Sequence, residues 1–128
     1  MKIVILLIVL VAIPFLIKAL RSLAGAGKYT NINGQAFAEH MQDKNAVVLD
    51  VRSPQEVAQG KIKGAQVINI MGADFSQKIK TLDKTKTYLV YCRSGNRSAR
   101  ACSLMAKEGF TNLYNLTGGY GAWLNRKN

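Results

Sequence analysis

The sequence predicts an α/β fold, with a mainly parallel sheet, helices on both of its faces, and one transmembrane helix in front. Three observations carry this reading. Short apolar runs such as 46–51 and 87–91 have the continuous hydrophobicity of strands that a parallel sheet buries on both faces. Segments with helical spacing lie between them, and strands that alternate with helices imply parallel pairing through crossovers. Residues 3–17 carry no charge, while the rest of the 128-residue chain has the mixed composition of one globular domain.

The apolar segment comes first. It follows Lys2, contains Pro14, and is succeeded by Lys18 and Arg21. A span takes about 20 helical residues, with about 17 as a practical minimum. The segment reaches that minimum when Ala19 and Leu20 are counted and Lys18 snorkels. A proline kink is tolerated in such helices. A cleaved secretory signal is the rival reading, with Ala24-Gly25-Ala26 as the cleavage site, but Lys18 and Arg21 stand where signal peptides normally lack charge. Residues 1–23 are therefore read as an uncleaved anchor, 24–28 as a glycine-containing linker, and 29–128 as the domain. Lys18, Arg21 and Lys28 outnumber Lys2, so the positive-inside rule places the domain in the cytoplasm. That compartment would keep cysteines reduced.

In the domain, 29–32 reads as a short strand, and Asn33 caps a helix that runs to Gln42 with Phe37 and Met41 on one face. Strand 46–51 follows. Ser53-Pro54 opens a helical turn ending at Gly60, with Pro54 at its first position. Then come a strand over 66–69, a helix over 73–82, the central strand 87–91, a helix over 98–108 stopped by Gly109, a strand over 112–116, and a short helix over 119–125.

The formal net charge is +11. No basic stripe with interleaved aromatics accompanies it, so nucleic acid is not an expected partner, and attraction to an anionic membrane surface is the simpler account. Cys92 and Cys102 are too few for a disulfide framework and lack metal-ligand spacing, so no metal or other cofactor is expected. Cys102 falls mid-helix and reads as a small buried apolar residue.

Cys92 is different, because it stands where the central strand ends. In open α/β sheets the functional crevice lies beyond the carboxyl ends of the strands. The loop Arg93-Ser94-Gly95-Asn96-Arg97 leads to a helix start at Ser98. Such a turn gathers backbone N–H groups into an anion cradle, which favours a thiolate over a thiol. Arg93 and Arg97 add cationic charge for an anionic substrate, with Arg97 the better placed of the two at the helix entrance. Gly95 allows the backbone to turn inward. Ser94, Asn96 and Ser98 are short polar residues that can fix the loop by local hydrogen bonds. Asp50 and Arg52 end the neighbouring strand and are read as supporting architecture through an ion pair. His40 lies on an early helix, far from the loop, and is expected to be exposed.

Three segments in this order resemble a single-domain rhodanese. They are Leu49-Asp50-Val51-Arg52-Ser53-Pro54-Gln55-Glu56 with Gly60-Lys61-Ile62-Lys63-Gly64-Ala65, the loop from Cys92 to Arg97, and Leu116-Thr117-Gly118-Gly119-Tyr120-Gly121-Ala122-Trp123. Two departures are visible, Lys61 where the family usually has histidine and Tyr120 where tryptophan is common. The resemblance implies the three-layer rhodanese fold and a sulfurtransferase. Cys92 would take sulfane sulfur from a donor such as thiosulfate as a persulfide. It would then pass that sulfur to cyanide, a thiol or a carrier protein.

Two rivals remain open on sequence. A cysteine phosphatase or arsenate reductase also cradles an oxyanion around a cysteine, but its loop has five residues between cysteine and arginine, where this chain has four between Cys92 and Arg97. A non-catalytic, membrane-anchored binding module on the same fold is the other.

Overall fold

The computed structural model describes the backbone of residues 2–25 and 28–126, with side chains in those stretches except at 19–25. Five strands form one sheet: β1 (Thr30–Ile32), β2 (Ala46–Asp50), β3 (Gln66–Val67), β4 (Thr87–Tyr91) and β5 (Leu113–Leu116). Their order is β1-β5-β4-β2-β3, and every described pairing is parallel. β4 is central. It pairs with β2 from Ala46↔Thr87 to Asp50↔Tyr91, which brings Asp50 level with the residue before Cys92.

The alternation of β4 divides the core. Tyr88, Val90 and Cys92 face one cluster, built with Phe75 and Ile79 of α4 (Phe75–Lys80) and Ala101, Cys102 and Met105 of α5 (Asn96–Lys107). Leu89 and Tyr91 face the other, with Phe37 of α2 (Gly34–His40) and Trp123 of α6 (Gly119–Leu124). Helices thus cover both faces, as a parallel sheet requires.

Local signals account for most element ends. Asn33 caps α2 by accepting a hydrogen bond from the Ala36 N–H at 2.9 Å. Ser53 and Glu56 form a reciprocal capping box that opens α3 (Pro54–Ala58). The strand expected over 66–69 is only two residues long, because the chain leaves the sheet after Val67, and the helix expected over 73–82 is confined to α4.

Helix α1 (Lys2–Gly25) contains the apolar segment, whose side chains stand exposed, Ile3 and Phe15 at 75% each. Among the described residues, no helix is long and apolar enough to cross a membrane. The unbroken apolar run of residues 3–17 measures about 22 Å at 1.5 Å per residue, short of a hydrocarbon core of about 30 Å. The transmembrane anchor expected over 1–23 is therefore not shown. Of the linker expected over 24–28, residues 24–25 close α1, and 26–27 lie outside the described residues.

Candidate active site

β4 delivers Cys92 to the carboxyl edge of the sheet. Helix α5 then begins two residues earlier than its composition suggests, because Gly95 takes a left-handed conformation (φ 104°) and serves as its N-cap. The loop proper is only Arg93, Ser94 and Gly95, and the first turn of α5 wraps directly against the sulfur. Cys92 Sγ accepts hydrogen bonds from the Gly95 N–H at 3.1 Å and the Ser98 hydroxyl at 3.3 Å. A Cβ at position 95 would stand 3.2 Å from the Leu116 carbonyl and 3.3 Å from the Gly118 nitrogen, so the turn has no space for another residue.

Cys92 is fully buried. Burial works against ionisation, but the Ser98 hydroxyl and the N–H groups of Ser98, Gly95 and Ser94 outweigh it. The thiol is held below its ordinary pKa. Cys102 has no such donors, and burial pushes it up to about 12. One cysteine is activated and the other is kept as an inert apolar group.

The two loop arginines separate sharply. Arg97, now inside the first turn of α5, donates to both carboxylate oxygens of Glu56 at 2.7 and 2.8 Å. The Arg97 guanidinium is the main reason the Glu56 carboxyl is lowered to about 2. Arg93 is exposed and, among the described residues, has no acidic partner. It lines an open cleft of about 680 Å³ together with Arg52, Glu56, Gln59, Ser94 and Tyr120. Ser94 and Asn96 are exposed as well, whereas Gly95 and Ser98 are buried. The arrangement offers one unpaired cation to an anion at the mouth of a cleft beside an activated sulfur.

Asp50 and Arg52 lie beneath the rim. The Asp50 carboxylate, 0% exposed, accepts from Arg52 Nε and Nη2, the latter at 2.7 Å, and from the Tyr91 hydroxyl at 2.5 Å. Tyr91 in turn accepts from the Ile62 N–H at 3.0 Å, and burial followed by the bond to Asp50 pushes its phenol pKa up. Arg52 also donates to the Gly60 carbonyl at 2.7 Å and lies over the Tyr120 ring at 4.4 Å. All three groups are tied to one another and to the backbone at Gly60 and Ile62, and none of them bonds to Cys92 in the described structure.

The back of the loop is closed by the chain that leaves β5. The Tyr120 N–H donates to the Cys92 carbonyl at 2.8 Å. Gly119, at φ 61°, lies so close that a Cβ would overlap the Arg93 carbonyl and stand 2.6 Å from the Cys92 oxygen. A glycine at 119 is thus demanded by contact with the cysteine loop. That contact joins the two distant motifs into one site. The rhodanese-like domain family matches residues 34–126. The chain belongs to the rhodanese family.

YtwF of Bacillus subtilis is 41% identical over 93 residues, covering 72% of this chain and 87% of that one. A thiosulfate sulfurtransferase of Pseudomonas entomophila is 39% identical over 90 residues, covering 70% and 78%. Among solved structures, a rhodanese-related protein of Thermoplasma volcanium superimposes with a TM-score of 0.68 at 34% identity, covering 76% of this chain and 92% of that one.

The departures from the rhodanese pattern have local explanations. Lys61 donates from Nζ to the Ala65 carbonyl at 2.8 Å and closes the turn it stands in. Tyr120 keeps an aromatic face on Arg52 and stacks on Tyr91 at 6.0 Å. His40 is half-buried rather than exposed, stacked on Tyr114 at 4.3 Å. Two contributors escaped the sequence reading. Glu56 was visible as the last residue of the Ser-x-x-Glu capping signal, but its pairing with Arg97 spans 41 residues. Tyr91 sits directly before Cys92, and nothing local marks it as the lid on Asp50.

Proposed function

We propose that this rhodanese-family chain is a sulfurtransferase that carries sulfane sulfur on Cys92. The observation that carries the reading is the pair of donors on Cys92 Sγ, the Gly95 N–H and the Ser98 hydroxyl. The Cys92 thiolate attacks the outer sulfur of a donor such as thiosulfate. A new S–S bond forms at Sγ, the S–S bond of thiosulfate breaks, and sulfite leaves with that electron pair. Charge balances at every point, and the thiolate, which the donors on Sγ favour over the thiol, attacks directly without a general base. The outer sulfur of the persulfide anion takes over the charge, and the N-terminus of α5 beside it favours an anion. A thiophilic acceptor (cyanide, a small thiol or a sulfur-carrier protein) then attacks that sulfur and restores the Cys92 thiolate.

Arg93 holds the anionic end of the donor, since Arg97 is committed to Glu56 and Arg52 to Asp50. Ser94 lines the approach beside Arg93, Asn96 opens α5 outside that cleft, Gly95 and Ser98 hold the sulfur, and Asp50 and Arg52 keep the crevice edge in shape. Thiocyanate formation from thiosulfate and cyanide tests this reading. The wild-type chain should form it, Cys92→Ser should not, and neither should hydrolyse an aryl phosphate. Phosphatase activity without thiocyanate formation would select the rival reading.

The proposal includes a location at the membrane. The exposed apolar run of α1, continued past a snorkelling Lys18 by Ala19 and Leu20, supports attachment of residues 1–23 to a membrane, with the domain on the cytoplasmic side. The excess of basic residues would draw the domain toward anionic headgroups. Flotation of the full chain with vesicles that resists high salt and carbonate is expected. A chain that stays at the bottom of the gradient would remove the membrane from the account.

A further inference from the structure

Asn115 lies on β5, the strand beside β4, in register with Val90, and it touches the cysteine loop. Its side chain is 4% exposed. The amide nitrogen donates to the Gly95 carbonyl at 3.2 Å and to Asn31 Oδ1, on β1, at 3.0 Å. Its own oxygen, Oδ1, is buried without a hydrogen-bond partner. Turning the amide over would not help, because it would set that oxygen against two other acceptors. The side chain thus commits its amide N–H groups to Gly95 and Asn31. A hydrophobic residue of similar shape would withdraw both donors, so packing alone does not explain an asparagine here.

Gly95 is held from two sides. Its N–H points at Cys92 Sγ, and its carbonyl is shared between Asn115 and the Ala99 N–H at 3.2 Å in the first turn of α5. With no side chain and a left-handed φ, Gly95 has little of its own to fix its orientation. We propose that Asn115 is a positioning residue for the sulfur chemistry, tethering Gly95 to β5 so that its N–H stays aimed at Cys92 Sγ. Asn115 touches neither sulfur nor substrate and acts only through Gly95. The inference deepens the sulfurtransferase reading, and its main readout, alkylation of Cys92, requires no sulfur transfer.

Three variants test it. Asn115→Ala removes the tether, and Asn115→Asp keeps the volume but turns a carboxylate toward the Gly95 carbonyl. Asn31→Ala removes the other partner of the amide and leaves the Gly95 bond in place. The pH dependence of Cys92 alkylation by iodoacetamide is measured beside thiocyanate-forming kinetics. Both Asn115 variants are expected to shift the alkylation midpoint upward and to lower kcat about tenfold, with KM for thiosulfate little changed. Asn31→Ala should keep the wild-type midpoint. Should Asn115→Ala not fold, the near-isosteric aspartate variant decides. A wild-type midpoint and kcat in either soluble Asn115 variant, with only thermal stability reduced, would overturn the assignment. A shifted midpoint in a chain that forms no thiocyanate at all would uphold the tether and refute the sulfurtransferase reading instead.

Discussion

Arg97 grips Glu56 through two hydrogen bonds of 2.7 and 2.8 Å, and this pairing removes one of the two loop arginines from the substrate's reach. The pair joins the start of α5 to the start of α3, so it is a brace across the carboxyl edge of the sheet. Arg93→Ala and Arg97→Ala should consequently fail in different ways. Loss of Arg93 should raise KM for thiosulfate roughly tenfold, the value of about 1.4 kcal/mol of anion binding, and leave the fold intact. Loss of Arg97 should lower thermal stability and affect KM less. Steady-state kinetics with thermal melts of both variants check the split.

The same pair gives an acid dependence. The folded-state pKa of Glu56, about 2, lies below the usual carboxylate range. A depressed carboxylate pKa stabilises the fold fully above the unfolded value and loses that contribution as pH falls through the folded one. The brace should therefore weaken between about pH 4.5 and pH 2. Urea melts across that window should fall more steeply for the wild type than for Glu56→Gln, which has no charge to lose.

Ser98 supplies the side-chain donor to Cys92 Sγ, and Ser98→Ala removes it with little change in volume. A hydrogen bond to a charged group contributes about 1.5–3 kcal/mol. Alkylation of Cys92 at neutral pH should slow about tenfold or more, with its midpoint moved upward. Fold stability should change little, because the neutral thiol needs the donor less than the thiolate does.

Gly119→Ala is the severe substitution. The new methyl would overlap the Arg93 carbonyl and approach the Cys92 oxygen, in a backbone conformation that side chains rarely adopt. Overlap with backbone cannot be relieved by turning a rotamer. A loss of several kcal/mol is expected, on the order of the largest single-substitution effects, together with loss of activity. Gly121→Ala, where a Cβ meets nothing within 4 Å, is the matched control for stability and should melt like the wild type.

The parallel sheet was legible in the sequence because its central strands are apolar without interruption, and Cys92 was legible because β4 ends on it. The helix start was not. Gly95 looks like a loop glycine, and only its left-handed φ turns it into an N-cap that draws Asn96 and Arg97 into α5. That shift of two residues re-aims Arg97 from the substrate to Glu56, a partner no local pattern names. Lys61 and Tyr120 depart from the family motif, and each finds its reason in a contact made across the fold. Asn115 is hidden for the same reason, since its meaning lies in the Gly95 carbonyl 20 residues away. The apolar run of α1 was plain in sequence, but its length of about 22 Å is shorter than a full span.

The central claim is that Cys92 carries sulfur, and intact-protein mass spectrometry after thiosulfate treatment tests it most directly. The account requires an adduct of one sulfur atom, located on the Cys92 peptide, removed by cyanide and absent from Cys92→Ala. No adduct on Cys92, or an adduct that persists in Cys92→Ala, would contradict it.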